Sequence, residues 1–161
     1  MTTAIGRILF VCSGNTCRSP MAQALWAVKG TGVAAESAGV HAWPGQPATR
    51  EAVQAVRAYG ASLEAHRSRG LDQVTADPDL VLTMTAGQAR AVAAARPEWA
   101  GRVHPLTAYV GETGDIPDPI GQGDAAYRDL ARELWRLLDR LAARLAADNH
   151  GSRPPPGPFS G

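Results

Sequence analysis

The sequence predicts an α/β fold: a single domain with a four-stranded parallel sheet and helices on both faces. Three observations predict it. The 161 residues match one ordinary domain and suffice for one core. Four short apolar runs alternate with longer polar and amphipathic segments. Strands that alternate with helices imply right-handed βαβ units and a parallel sheet covered on both faces.

The first strand is "IGRILFV" (5–11). A loop follows and ends at Ser19-Pro20, a good helix cap before a residue suited to the first helical position. The spacing predicts a helix over 20–29, stopped by Gly30. "VAAESAGV" (33–40) is the second strand, and "HAWPGQPAT" (41–49) is a loop by its Pro and Gly content. Ala52, Val53, Val56 and Tyr59 give a helix over 48–59, closed by Gly60. Residues 66–78 are a polar connection with room for one short helix.

"DLVLTM" (79–84) is a buried strand, a helix covers 86–95, and "RVHPL" (102–106) is a short fourth strand. Residues 111–123, "GETGDIPDPIGQG", form a long loop of a kind that usually serves function. The last helix spans 124–147, with Leu130, Leu134, Leu137, Leu138, Leu141 and Leu145 on its apolar face. Arg128, Arg132, Arg136, Arg140 and Arg144 recur beside that face and read as a solvated row. The folded domain is expected over 1–149, with a flexible Pro/Gly-rich tail over 150–161.

Net charge is +1, so no strong field points to nucleic acid or membrane. No segment reaches the roughly 18 apolar residues of a spanning helix, and the N-terminal residues lack a signal-peptide pattern. A cytoplasmic location is expected. The two cysteines, Cys12 and Cys17, are too few for a disulfide framework or a four-cysteine zinc site. No metal or other cofactor is implied.

Both cysteines fall in "FVCSGNTCRSP" (10–20), between the first strand and the first helix. In a parallel sheet, ligands bind beyond the carboxyl ends of the strands. A turn there points backbone N–H groups inward and borrows the positive end of the helix. Ser13, Gly14, Asn15, Thr16 and Cys17 supply that turn. Gly14 can adopt positive φ where the loop turns tightly, and Asn15 tolerates left-handed geometry and can tie the loop with its amide. Arg18 adds a planar fork matching two phosphate oxygens. Cys12 at the base is then a thiolate aimed at phosphorus. Ser19 caps the helix and can donate to a departing Cys12 sulfur. Such chemistry needs a general acid, and Asp118, aimed by Pro119 in the long loop, is the best candidate. Asp115 is expected to be a turn residue.

These residues resemble the low-molecular-weight protein-tyrosine phosphatase family. "VCSGNTCRSPMAQAL" is similar to its N-terminal signature, and "SAGV", "DLVLTM" and "DIPDPIG" recur in its order over about residues 5–147. The resemblance implies Cys12 as nucleophile, Arg18 as phosphate clamp, and Asp118 as acid and later base. It implies Asn15, Ser37 and His66 as the hydrogen-bonded set that shapes the loop. It implies Cys17 as a second thiol able to pair reversibly with Cys12. The expected partners are a phosphorylated protein substrate, with inorganic phosphate or other oxyanions as inhibitors.

Two positions refine the substrate. Thr16 matches the bacterial protein-arginine phosphatases of the family, where tyrosine-specific members mostly carry isoleucine. A hydroxyl can exchange hydrogen bonds near a guanidinium, and isoleucine cannot. Ile120 stands where tyrosine-specific members usually have tyrosine, so one wall of a phenol slot is not aromatic; it also differs from the phenylalanine expected in the arginine-specific group, and Trp43 is a candidate replacement wall. Phosphoarginine is therefore the favoured substrate and phosphotyrosine the alternative. A phosphate-recognising module without turnover, or an arsenate reductase, are further readings. The first is disfavoured by the presence of both Cys12 and Asp118. The second needs relay cysteines beyond Cys17, and the chain has none.

Overall fold

The computed structural model describes residues 4–152. The four strands are β1 (Arg7–Cys12), β2 (Ala34–Gly39), β3 (Leu80–Thr83) and β4 (Val103–Pro105). All pair in parallel, in the order β2-β1-β3-β4. The helices are α1 (Arg18–Val28), α2 (Arg50–Arg57), α3 (Ala86–Ala95), the single turn α4 (Leu106–Tyr109) and α5 (Asp124–Ser152). Short 3-10 segments at Leu71–Gln73 and Pro97–Arg102 complete the chain.

β1 is central and both its faces are dry. Ile8 and Phe10 point to the larger core with α1, α2 and α5, and Leu9 and Val11 to a smaller one with Val92 and Trp99. This is why β1 reads as a continuous apolar run and not as an alternation. The α5 leucines Leu134, Leu137, Leu138 and Leu141 are fully buried in the larger core. Each contributes about 1.5–3 kcal/mol of burial, an upper-range transfer value.

Several boundaries differ from the sequence expectation. α1 starts at Arg18, before the expected Pro20. α2 is shorter, because the Thr49 hydroxyl caps it by accepting from the Ala52 N–H. α4 was not foreseen; four residues give periodicity too little length to register. α5 carries on through Ser152, past the expected domain boundary at 149. The rest of the expected tail, 153–161, lies outside the described residues.

The arginine row is also not a bare solvated face. Arg136 and Arg140 both reach Glu112, whose carboxyl Arg136 holds below its usual range. Arg144 stacks on the Tyr109 ring and donates to the Tyr109 carbonyl. The row thus ties α4 and the turn after it to α5. At the opposite pole, the Asn149 amide bonds both the N–H and the carbonyl of Ile5, at 2.8 and 3.1 Å.

No helix among the described residues is long and apolar enough to cross a membrane.

Candidate active site

The strand order reverses at β1, so the crevice beyond the carboxyl ends of β1 and β3 is the place for a ligand. The loop 12–18 fills that crevice. Its last residues run into α1, which has no side-chain cap and no acidic residue in its first turn. That leaves the first-turn N–H groups and the positive helix end for an anion.

Ser19 is therefore not the cap expected from the sequence. It sits inside the first turn, and its hydroxyl is released for the cysteine: Oγ lies 3.0 Å from Cys12 Sγ. Asn15 Nδ2 donates to the same oxygen at 2.9 Å. The one Ser19 proton is then available to the sulfur, or to the Ala38 carbonyl at 3.4 Å.

Gly14 does not adopt positive φ. Asn15 does, with φ 57°. The left-handed residue is thus the one whose side chain can repay the strain by local bonding. Asn15 is fully buried and bonds in three directions. Its amide donates to Ser19, its Oδ1 accepts from the Arg69 N–H at 3.0 Å, and its carbonyl accepts from His66 Nε2 at 2.7 Å. Burial pushes the His66 pKa down, against the pull of the Asn15 carbonyl, with Arg67 and Arg69 lowering it further. The neutral tautomer with the proton on Nε2 fits that contact.

The Ser37 hydroxyl does not bond to the loop as expected; it donates to Gln23 Oε1 on α1 at 2.7 Å. Only the Ser37 carbonyl belongs to the support, accepting from Arg69 Nε at 3.0 Å.

Arg18 is 5% exposed. Nη1 donates to the Ile116 carbonyl at 2.8 Å, and Nη2 lies 3.8 Å from Asp118 Oδ2. The long loop is thereby drawn to the mouth of the cup. It is also stitched to β3, since the Ile116 N–H donates to the Met84 carbonyl at 2.9 Å. Asp118 Oδ1 accepts from the Ile120 N–H at 3.1 Å, so the Asp118 side chain shapes its own turn. Asp115 is more than a turn residue: Oδ1 accepts from the Ala86 N–H at the start of α3.

Cys17 is buried beside the Tyr127 hydroxyl at 3.2 Å and Thr49 Oγ1 at 3.7 Å. Burial raises its thiol pKa, more than the Tyr127 contact lowers it. Thr16 stands next to it, and both cysteines are free thiols. Trp43 and Ile120 are 77% and 56% exposed. The Trp43 carbonyl accepts from the buried Ser68 hydroxyl, which anchors that turn.

Two supporting residues escaped the sequence reading. Gln88 accepts from the Met84 and Thr85 N–H groups and donates to Ser13 Oγ at 3.1 Å. Its signal was present as the Thr-x-x-Gln capping box of α3. Gly39 lies directly under the loop. A Cβ there would sit 2.5 Å from the Ser13 carbonyl and 3.1 Å from the Asn15 nitrogen.

A sequence profile described as low molecular weight phosphotyrosine protein phosphatase matches residues 7–151. The chain belongs to this family. It is 42% identical over 145 residues to a protein-arginine-phosphatase of Geobacillus stearothermophilus, covering 88% of this chain and 97% of the relative. It is 37% identical over 144 residues to a probable low molecular weight protein-tyrosine-phosphatase, EpsP, of Ralstonia solanacearum, covering 89% and 98%. Among solved structures it resembles the YwlE arginine phosphatase, determined as a cysteine-to-serine mutant with a phosphorylated active site serine. The TM-score there is 0.83 at 38% identity, over 89% of this chain and 98% of that one. The fold, a four-stranded parallel sheet with helices in a single domain, matches that of solved low molecular weight phosphatase structures.

Proposed function

We propose that the protein removes phosphate from phosphoarginine side chains of proteins, through a phosphocysteine intermediate. The observation that carries the reaction is the pairing at one mouth of Cys12, served by the Ser19 hydroxyl, with Asp118, held near Arg18. Thr16 and the arginine-phosphatase relatives support the substrate.

The phosphoryl group sits in the cup on the loop N–H groups and the Arg18 fork. Cys12 Sγ attacks phosphorus in line. The S–P bond forms as the bond from phosphorus to the guanidino nitrogen breaks, and Asp118 gives that nitrogen its proton. Asp118, now a carboxylate, takes a proton from water as the water attacks phosphorus. The S–P bond breaks, and the Ser19 hydroxyl donates to the departing thiolate. Charge on the transferring oxygens is met by fixed donors, the largest contribution in reactions of this kind. Inorganic phosphate and other oxyanions fit the same cup as inhibitors, and a cytoplasmic site of action suits free thiols.

Phosphotyrosine is the second reading, supported by the EpsP relative. The test is kcat/KM on a phosphoarginine and a phosphotyrosine peptide, for wild type and Thr16→Ile. A wild-type preference for phosphoarginine that Thr16→Ile shifts towards phosphotyrosine supports the reading. A wild-type preference for phosphotyrosine, little changed by the mutation, overturns it.

A further inference from the structure

A groove of about 300 Å³ opens beside the cup, between the start of α3 and the turn after β2. Arg18 lines it, so the groove is continuous with the phosphate site. Ser13, His41, Thr85, Gly87 and Gln88 form most of the remaining wall.

Gln88 sets the polarity of this wall. Its Oε1 is held by the Met84 and Thr85 N–H groups at 3.0 and 3.1 Å, so its Nε2 must face Ser13. Ser13 Oγ accepts that bond, and its own proton is free to donate. Thr85 Oγ1 likewise accepts from the Gln88 N–H at 3.1 Å. The Ser13 carbonyl accepts from the His41 N–H at 2.9 Å. Each of these oxygens already accepts one bond from within, while the two hydroxyl protons are uncommitted. The wall is therefore rich in donors for a guest: two hydroxyls, an imidazole N–H and the edge of a guanidinium.

A wall of donors selects an acceptor. A second anion is a poor guest, because the phosphoryl dianion in the adjoining cup repels it. A carbonyl carries only a dipole and escapes that repulsion. We propose that this groove binds the main chain of the substrate polypeptide beside the phosphorylated residue, with its carbonyls accepting from Ser13 and His41. The inference rests on the phosphatase reading above and adds a site by which the enzyme distinguishes a protein from a small phosphate ester.

His41→Ala and Gly87→Phe test it in the full chain. His41 is exposed, and its ring enters none of the bonds that hold the loop. A Cβ at Gly87 meets only ordinary contacts, Arg90 Nη2 at 3.7 Å and Thr85 Oγ1 at 3.9 Å. One variant removes a donor and the other fills the groove. The measurement is kcat/KM on a phosphorylated peptide and on p-nitrophenyl phosphate, which has no main chain. Each variant is expected to lower the peptide value about five- to tenfold, the worth of a hydrogen bond or two, with p-nitrophenyl phosphate unchanged. Equal losses on both substrates, or no loss on the peptide, overturn the proposal. Wild-type turnover of p-nitrophenyl phosphate tests the phosphatase reading separately, and its absence overturns both.

Discussion

Arg18 donates to the Ile116 carbonyl at 2.8 Å while its other terminal nitrogen lies 3.8 Å from the Asp118 carboxylate. One guanidinium therefore belongs to two parts of the site. Both contacts hold the loop that carries the acid, and Arg18 also lines the groove beside the cup. Lysine can supply the charge but not both contacts. Arg18→Lys should lower kcat/KM on p-nitrophenyl phosphate by about 100- to 1,000-fold, the range for losing a preorganised donor to a transition state. A loss under tenfold would show that Asp118 is positioned without Arg18.

Asp118 should act on the leaving group. Asp118→Asn keeps its shape and its bond from the Ile120 N–H but has no proton to give. With a series of aryl phosphates, the mutant should lose most on esters whose phenol has a high pKa and least on nitrophenols. A uniform loss across the series would remove Asp118 from the acid role.

Gly39→Ala should damage the loop without touching a reacting atom. The added methyl meets the Ser13 carbonyl at 2.5 Å and must push the loop backbone away. The expected cost is about 1–3 kcal/mol of stability, as in other overpacked sites, together with weaker inhibition by inorganic phosphate. Thermal unfolding and a phosphate inhibition constant check the two effects. An unchanged inhibition constant would mean that the loop is free to shift without cost.

Stability should fall on mild acidification, partly through His66. Its folded pKa lies below the ordinary imidazole value of about 6.5. Below that value the unfolded chain takes up a proton that the folded chain resists, so stability drops with falling pH until the folded value is passed. His104 is depressed by burial as well and adds the same sign. His66→Gln, which can still donate to the Asn15 carbonyl, should flatten the dependence of Tm on pH between 7 and 5. An unaltered slope would place the effect elsewhere.

The two thiols should differ towards alkylation. Burial raises the Cys17 pKa, and its sulfur lies against the Tyr127 hydroxyl at 3.2 Å. Iodoacetate at neutral pH should therefore modify the native protein once, with phosphate protecting it, and should not modify Cys12→Ser. Mass spectrometry of the labelled chain reads this directly. A second label on the native protein would contradict the burial of Cys17.

Much of this site was legible in the sequence. β1, β3 and α3 announced themselves because buried strands need unbroken apolar runs and a helix after β3 has to stop before Pro97. Cys12, Arg18 and Asp118 could be singled out because their chemistry is scarce and their loops are rich in Gly, Pro or Asp. What stayed hidden depends on which partner arrives first in space. Ser19 read both as a cap before Pro20 and as a donor to Cys12; the contact with Cys12 is there, but the cap is not, and the bond from Asn15 was not legible. Ser37 faced a nearby Gln23, which no spacing along the chain foretells. Of the two residues able to take positive φ, Asn15 takes it and Gly14 does not, and the choice rests on buried bonds that spacing does not show.

The clasp between Asn149 and Ile5 brings the start of β1 and the far end of α5 together, on the side of the sheet away from the cup. The six residues of β1 separate that clasp from Cys12, roughly 20 Å at the usual rise per strand residue. The domain therefore has a working pole and a handling pole. A surface tether or a fused protein attached at the handling pole leaves the approach to phosphorylated substrates clear. Joining the far end of α5 to the start of β1 by a short linker, with the chain opened in the connection before β3, would make a circular permutant in which the Asp118 loop precedes the Cys12 loop along the chain while both keep their places at the mouth.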